Sequence, residues 1–280
     1  MKENKTIKEL SLTELKPFTG HPYKVRDDEE MDALVESVRE HGIMVPLIVR
    51  PIDKGFEIVS GHRRAHAAMK AGLKTVPVIE VELTRDEAAV ALVDSNLNRE
   101  HILPSEKAFA YKLKFEALAR QGKRSDLTSD QVGPKLTVER VSDNDSATQV
   151  KRYIRLTHLI PDLLRLVDDG RIAFTPAVEL SYLTPEEQEL LFTEIGFAEA
   201  TPSLSQAVRM KRLSGEGRLT EETIAEIMAE EKPNQKERVN IPVSSIERFI
   251  PNASPDRVRA FIIKACEFYR NHLERQRGER

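Results

Sequence analysis

Cysteine occurs once in this chain, at Cys266, tryptophan does not occur, and aromatic side chains make up 5%. A single cysteine excludes an internal disulfide and a cysteine-based zinc cluster. So few aromatics argue against a single-strand nucleic-acid binder, which stacks bases on aromatic rings. No apolar run is long enough to span a bilayer, and Met1-Lys-Glu-Asn-Lys5 lacks a secretory signal pattern. A cytoplasmic protein without membrane contact is the expectation. Net charge is scarce as well: 43 Lys and Arg against 46 Asp and Glu leave −3. Any nucleic-acid binding must then come from a local basic patch.

What is present is charge of both signs, 32% of the residues, over a length sufficient for two or three domains. The chain is organised around Phe56-Glu-Ile-Val-Ser-Gly-His-Arg-Arg-Ala-His-Ala-Ala-Met-Lys-Ala-Gly72. Alternation around Phe56 and Ile58 predicts a half-buried strand ended by Gly61, then a short helix from Arg63 to Ala71 closed by Gly72. Arg63 and Arg64 then stand in a first helical turn, beside free backbone N–H groups and the positive end of the dipole. A cation there is disfavoured by about 0.3 kcal/mol or more, unless an anion lies between it and the helix end. A strand, a glycine, N–H groups and two guanidinium forks make a cradle for phosphate. The alternative is two solvated arginines at a helix start.

Ahead of this stretch, alternation at Ile7, Leu10, Leu12 and Leu15 predicts an edge strand, and His21-Pro-Tyr-Lys-Val-Arg26 an extended loop. Asp27 and Asp28 open a helix with Met31, Leu34, Val35 and Val38 at i, i+3, i+4, i+7, ended by Gly42. Further strands are predicted at Val45–Arg50 and Val76–Val81. From Thr84 the composition turns helical, beginning with the capping box Thr84-Arg-Asp-Glu87. Asn96 and Arg99, three apart, are expected to share a face. Pro104-Ser105 restarts a helix that runs to Gly122.

Ser146-Ala-Thr-Gln149 reads as another capping box, opening a helix to about Leu159. Val150, Tyr153 and Ile154 lie on its inward face; Thr148, Lys151, Arg152 and Arg155 fall on the other. An apolar stripe opposite an Arg, Lys, Thr and Gln stripe is what a major-groove reader requires, with a solvated amphipathic face as the alternative. Capping boxes recur at Thr184–Glu187 and Ser203–Gln206, and Thr220 begins another helix. After a linker at Lys232–Glu237, a strand is expected at Val239–Val243 and a helix from Pro255 to Arg275. That helix carries the stripe Val258, Phe261, Ile262, Ala265, Cys266 and Tyr269, which needs a partner surface such as a second copy.

Together these pieces resemble the ParB partition-protein family over most of residues 10 to 220. His21–Arg26, with the acid-led helix and His41-Gly-Ile-Met-Val-Pro-Leu-Ile-Val-Arg-Pro51, resembles its first box. Ser60-Gly-His-Arg-Arg64 resembles its Gly-Glu-Arg-Arg phosphate box, and Gly72-Leu-Lys-Thr-Val-Pro-Val78 the segment that holds a cytosine base. Asp94-Ser-Asn-Leu-Asn-Arg-Glu100 is similar to its Glu-Asn-Leu-Gln-Arg box for triphosphate and magnesium. The resemblance implies an α+β protein: a small mixed α/β, sulfiredoxin-like N-terminal domain, an all-α helix-turn-helix domain and a small C-terminal strand–helix piece. The implied boundaries are residues 1–84 for nucleotide binding, 85–122 for helices completing the pocket, 123–231 for DNA binding and 238–280 for dimerisation. CTP would be held by Arg26, Gly61, His62, Arg63 and Arg64, by Thr75, Val76 and Pro77, and by Asn96 and Arg99, with Asn96 also at Mg2+. DNA would meet Ser146, Thr148, Gln149, Lys151, Arg152 and Arg155. The implied function is a CTP-gated dimeric DNA clamp acting in segregation. Its partners would be double-stranded DNA with a palindromic centromere-like site and a ParA-type ATPase.

Two positions depart from the family pattern. His62 stands where the phosphate box has Glu, and Ser95 where the third box has the carboxylate linked to hydrolysis, which weakens a claim to CTP turnover while leaving the binding groups in place. A transcription repressor with a vestigial pocket is one rival reading. Sulfinic reduction is excluded because no cysteine flanks Gly61. A nuclease would need a metal cluster, for which His62 and His66 lack a nearby pair of carboxylates.

Overall fold

Short apolar alternations produce five strands within the first 80 residues: β1 (Ile7–Ser11), β2 (Leu15–Lys16), β3 (Leu47–Ile52), β4 (Gly55–Ser60) and β5 (Thr75–Glu80). They form one sheet in the order β1-β5-β3-β4-β2, in a computed structural model describing residues 6–97, 99, 101–125, 138–142, 144–230, 249 and 255–278. β1 runs antiparallel to β5 and β3 antiparallel to β4, while β3 is parallel to β5 and β2 to β4. The chain divides into two compact units, Met1–Glu230 and Glu231–Arg280.

Neighbouring side chains of β4 feed two cores, because a strand presents successive residues to opposite faces. Ile58 joins Met31, Val35, Ala65 and Ala68 of helices α1 (Glu29–His41) and α2 (His62–Ala71). Val59 joins Phe18, Tyr23 and Ala88, Leu92 and Val93 of α3 (Arg85–Asp94). Helix α4 (Pro104–Ser125) then acts as a spine. Its Ala110 and Ala117 pack into the second of these cores, Tyr111 and Leu118 against Val138, Val141 and Val150, and Ala108 into the helical core beyond.

That helical core is built by α5 (Ala147–Leu156), α6 (Pro161–Asp168), α7 (Phe174–Leu180), α8 (Pro185–Ala198), α9 (Leu204–Gly215) and α10 (Glu221–Ala229). Leu156, Leu163, Leu180, Leu191, Met210 and Ile224 are its fully buried anchors. Capping boxes form at Thr84, Thr184, Ser203 and Thr220. The box expected at Ser146 is only half made: Ser146 accepts the Gln149 N–H, and α5 ends at Leu156, short of Leu159. The N–H groups of Thr157, His158 and Leu159 bond three residues back, a tightening that precedes extended Ile160 and Pro161.

In the second unit, helix α11 (Pro255–Gly278) leaves Phe261, Ile263, Phe268 and Tyr269 exposed. The strand expected at 239–243 lies outside the described residues. Among the described residues no helix is long and apolar enough to cross a membrane.

Candidate nucleotide pocket and nucleic-acid interface

Between β4 and α2 the backbone turns at Gly61 with φ 103° and ψ 25°. A Cβ there would stand 3.1 Å from Leu47 Cγ and 3.1 Å from an Arg64 guanidinium nitrogen, so the turn requires glycine. No side chain caps the first turn of α2. Above it opens a cavity of about 160 Å³ lined by Gly61, His62, Arg63, Arg64, Asn96 and Arg99, together with His21, Tyr23, Lys24, Val25, Ser60 and Ser95. Among the described residues four cations line it and no carboxylate does. An adjoining cavity of about 460 Å³ shares Lys24, Arg63 and Arg99 and adds Arg26 and His101 beside Asp28, Glu30 and Glu106.

Six of the ten residues expected around a nucleotide thus meet in one cavity and Arg26 lies in the next. Thr75, Val76 and Pro77 line neither. They belong to β5, paired with Ser11, Leu10 and Glu9 of β1, and Val76 is fully buried in the sheet's core. His21, Tyr23 and Lys24 are additions, which the sequence placed in an extended loop resembling the family's first box without a role at the nucleotide. The available signal was the run of polar side chains in the proline-stiffened stretch before Arg26.

The arginines of α2 are differently employed. Arg63 Nη2 lies 3.3 Å from both Asp28 Oδ1 and Glu30 Oε2. Arg64 Nη1 donates to the Val45 carbonyl and, at 2.9 Å, to that of Pro46, tying the approach to β3 onto α2. Burial lowers the Arg64 pKa. Asn96 and Arg99 lie beyond the end of α3, so a turn rather than a helical face joins them: the Arg99 N–H donates to the Asn96 carbonyl at 3.2 Å. Asn96 Nδ2 donates to the Leu92 carbonyl at 2.8 Å, which anchors the amide.

Two imidazoles meet in this cavity, His21 and His62, with ring centroids 3.9 Å apart and planes tilted by 45°. His62 Nε2 accepts the Phe18 N–H at 3.3 Å, so its proton sits on Nδ1. His21 Nδ1, 2.6 Å from the Tyr23 carbonyl, must be the donor there. Both rings are neutral: burial pushes His62 down to about 3, reinforced by His21 and Arg99, and burial lowers His21 as well. The Tyr23 hydroxyl is buried without a hydrogen-bond partner, and burial raises its pKa so that it keeps its proton. An unsatisfied buried donor costs about 1–3 kcal/mol, and Tyr23 is among the residues that line the cavity. Among the described residues no group of three or more His, Cys, Asp or Glu could hold a metal.

The second constellation is on α5. Val150 is buried against Tyr111, Leu118, Val138 and Val141, which fixes the helix face. The segment before it docks through Asp145, which accepts from the Tyr111 hydroxyl at 2.5 Å and pairs with Lys107 at 2.7 Å. Thr148 and Lys151 are exposed, and Ser146 is exposed at the cap with Gln149 half-buried beside it. Arg152 and Arg155 instead turn back onto the molecule. Arg152 Nη2 donates to Thr175 Oγ1 at 2.9 Å, with its guanidinium 5.0 Å from the Phe174 ring centroid. Arg155 donates to Ser181 Oγ at 3.2 Å and to the Ser181 carbonyl at 2.7 Å, and lies 4.0 Å from the Tyr182 ring centroid. The expected four-residue face is therefore two open side chains and two engaged ones.

With this geometry in hand, comparison with known proteins gives a consistent result. A family model described as "ParB N-terminal domain" matches residues 1–97. The chain is 36% identical over 168 residues to stage 0 sporulation protein J of Bacillus subtilis, covering 60% of this chain and 55% of that protein. It is 30% identical over 209 residues to the probable chromosome 1-partitioning protein ParB of Deinococcus radiodurans, covering 75% of this chain and 67% of that one. The chain thus spans little more than half the length of the Bacillus relative. Among solved structures, it is similar to the C-terminally truncated chromosome-partitioning protein ParB from Caulobacter crescentus. The form complexed to the centromeric parS site gives 22% identity, coverage of 73% and 98% and a TM-score of 0.40. The form complexed with CTP-gamma-S gives 24%, coverage of 68% and 98% and a TM-score of 0.32. On the boxes read in its sequence and the extent of its match to the Deinococcus protein, this chain belongs to the ParB partition-protein family.

Proposed function

We propose that this protein is a CTP-gated, site-specific binder of double-stranded DNA acting in partition of a plasmid, mobile element or chromosome. The observation that carries the nucleotide half is the cavity over Gly61, with Lys24, Arg63, Arg64 and Arg99 on it and, among the described residues, no carboxylate. Such a surface suits a polyanion and repels nothing on it. Two further features support the reading: a Cβ at residue 61 would press on the Arg64 guanidinium, and Tyr23, which lines the cavity, carries a hydroxyl without a hydrogen-bond partner.

In this reading Arg63 and Arg99 hold phosphates, His62 and Tyr23 offer one N–H and one O–H donor, and Arg64 keeps the turn in shape. A magnesium ion would neutralise phosphate charge. Asn96 would offer it Oδ1, since Nδ2 is committed to the Leu92 carbonyl. Cytidine is the base that the family resemblance implies. Ser95 and His62 stand in place of the family's acids, so the reading is one of holding a nucleotide, with turnover left to a direct CTPase assay. DNA is met by α5, through Thr148, Lys151 and Gln149. The partners are a palindromic site, a ParA-type ATPase and a second copy joined through α11, in a nucleoid- or plasmid-associated setting.

Calorimetry tests the nucleotide half. CTP with magnesium should bind the full chain with one site per protomer, and Arg63→Ala should weaken it by about a hundredfold, the loss of a charge-assisted pair. No heat with CTP at millimolar concentration would refute it.

A further inference from the structure

We propose that Arg152 and Arg155 do not read DNA but fix the angle at which α5 is presented to it. This rests on the reading of α5 as the DNA-facing helix and assigns contact with the duplex to Thr148 and Lys151. The two arginines are one turn apart on α5, yet they grip opposite ends of α7. Arg152 holds Thr175 in its first turn and covers Phe174. Arg155 holds the oxygen atoms of Ser181, the residue that ends the helix. A guanidinium on the last carbonyls of a helix satisfies acceptors that have no partner within the helix and sits at the negative end of its dipole.

Two attachment points at separate ends of a second helix set an orientation, which one contact would not. The grip reaches a third helix as well: Lys211 of α9 lies 3.7 Å from the centroid of the same Tyr182 ring and pairs with Glu179 of α7 at 2.7 Å. Swinging Arg155 out to a base edge would break two hydrogen bonds and a cation–π contact together. It would also leave the carbonyl of Ser181, which is 1% exposed, without its donor. Thr148 and Lys151 have no such ties and are exposed on the preceding turns.

The test uses the full chain, a duplex enriched by the wild type from a random-sequence pool, and a scrambled duplex of equal composition. If the wild type enriches no sequence, the reading of a site-specific binder fails first, and this inference falls with it. Given a selected site, Arg155→Ala should weaken binding to it by about tenfold or more, leave scrambled binding within about twofold, and leave the slope of log K against log salt unchanged. Lys151→Ala is the reference for a phosphate contact and should lower that slope by about one. Arg155→Lys keeps the charge without the two-point grip and should not restore specific binding. Tyr182→Leu and Thr175→Val, which alter the anchors without touching an arginine, should reproduce the loss of specific affinity at an unchanged slope. These two also decide the matter if Arg155→Ala fails to fold. The inference is overturned if Arg155→Ala lowers the slope by about one, if it weakens both duplexes alike, if reselection shows one relaxed base position, if lysine restores binding, or if both anchor variants bind as wild type.

Discussion

His62 shows how a single substitution changes what a pocket can do. Where relatives are expected to carry Glu, this chain places a neutral ring whose Nε2 is occupied by the Phe18 N–H. Its folded pKa of about 3 lies below the ordinary 6.5, so between those values the unfolded chain binds the proton that the folded one refuses. Stability from this group is complete above pH 6.5 and is lost as pH falls from there toward 3, at up to about 1.4 kcal/mol per pH unit. Urea midpoints measured from pH 8 to 4 should show this slope, and His62→Gln should flatten it; parallel curves would refute the assignment. Arg63 and Arg64, adjacent in sequence, should separate in their effects. Arg64→Ala should cost about 0.5–1.5 kcal/mol of folding stability through the lost hydrogen bonds to the Val45 and Pro46 carbonyls, whereas Arg63→Ala should leave the urea midpoint nearly unchanged. Conversely, Glu30→Gln should tighten CTP binding by up to about fivefold, because an exposed competitor for Arg63 is removed, and calorimetry reads it directly. The glycine and the two arginines were legible in the sequence because their types and spacing carry a mechanism. Tyr23 was not, since an orphan hydroxyl exists only once the loop lies across α3 and β4.

At the scale of elements, local chemistry was the reliable guide. The boxes at Thr84, Thr184 and Ser203 form as read, because a cap needs only residues three apart. Where a tertiary partner decides the outcome, the reading shifts. β3 begins at Leu47 instead of Val45, whose carbonyl is taken by Arg64, and Asn96 with Arg99 sit in a turn instead of on a helix. The segment expected at the cytosine base forms β5, an interior strand between β1 and β3, and its Thr75, Val76 and Pro77 line neither cavity. The β4–α2 junction should be the least forgiving element. Gly61→Ala combines a left-handed φ with a Cβ pressed against Leu47, and should cost about 1–3 kcal/mol, seen as a lower urea midpoint with weakened CTP binding. An unchanged midpoint would mean that the turn relaxes freely.

Across the first unit, the spine α4 connects the candidate pocket to the helical part through two buried polar residues at its start, Ser105 and Glu106. Glu106 accepts the Lys24 N–H at 2.9 Å and the Leu103 N–H at 3.3 Å, while Ser105 donates its N–H at 2.9 Å and its hydroxyl at 2.6 Å to Asp168 of α6. The loop that would hold a triphosphate and the helices that carry α5 are therefore fastened to adjacent residues, a link that no sequence motif announces. The apolar stripe of α11 was legible in the sequence, and its exposed Phe261, Ile263, Phe268 and Tyr269 make this helix the proposed dimerisation surface. Deleting residues 231–280 should leave a monomer at micromolar concentration by sedimentation, and a truncated chain that stays dimeric without nucleotide would contradict that assignment. The central claim, that nucleotide gates DNA binding, is tested most directly on a duplex carrying the selected site and blocked at both ends. With CTP and magnesium, protein should accumulate beyond one dimer per site, should be lost when one end is freed, and should fail to accumulate in Arg63→Ala. Occupancy of one dimer per site, equal with and without CTP and indifferent to the ends, would contradict the account and leave a repressor with an idle pocket.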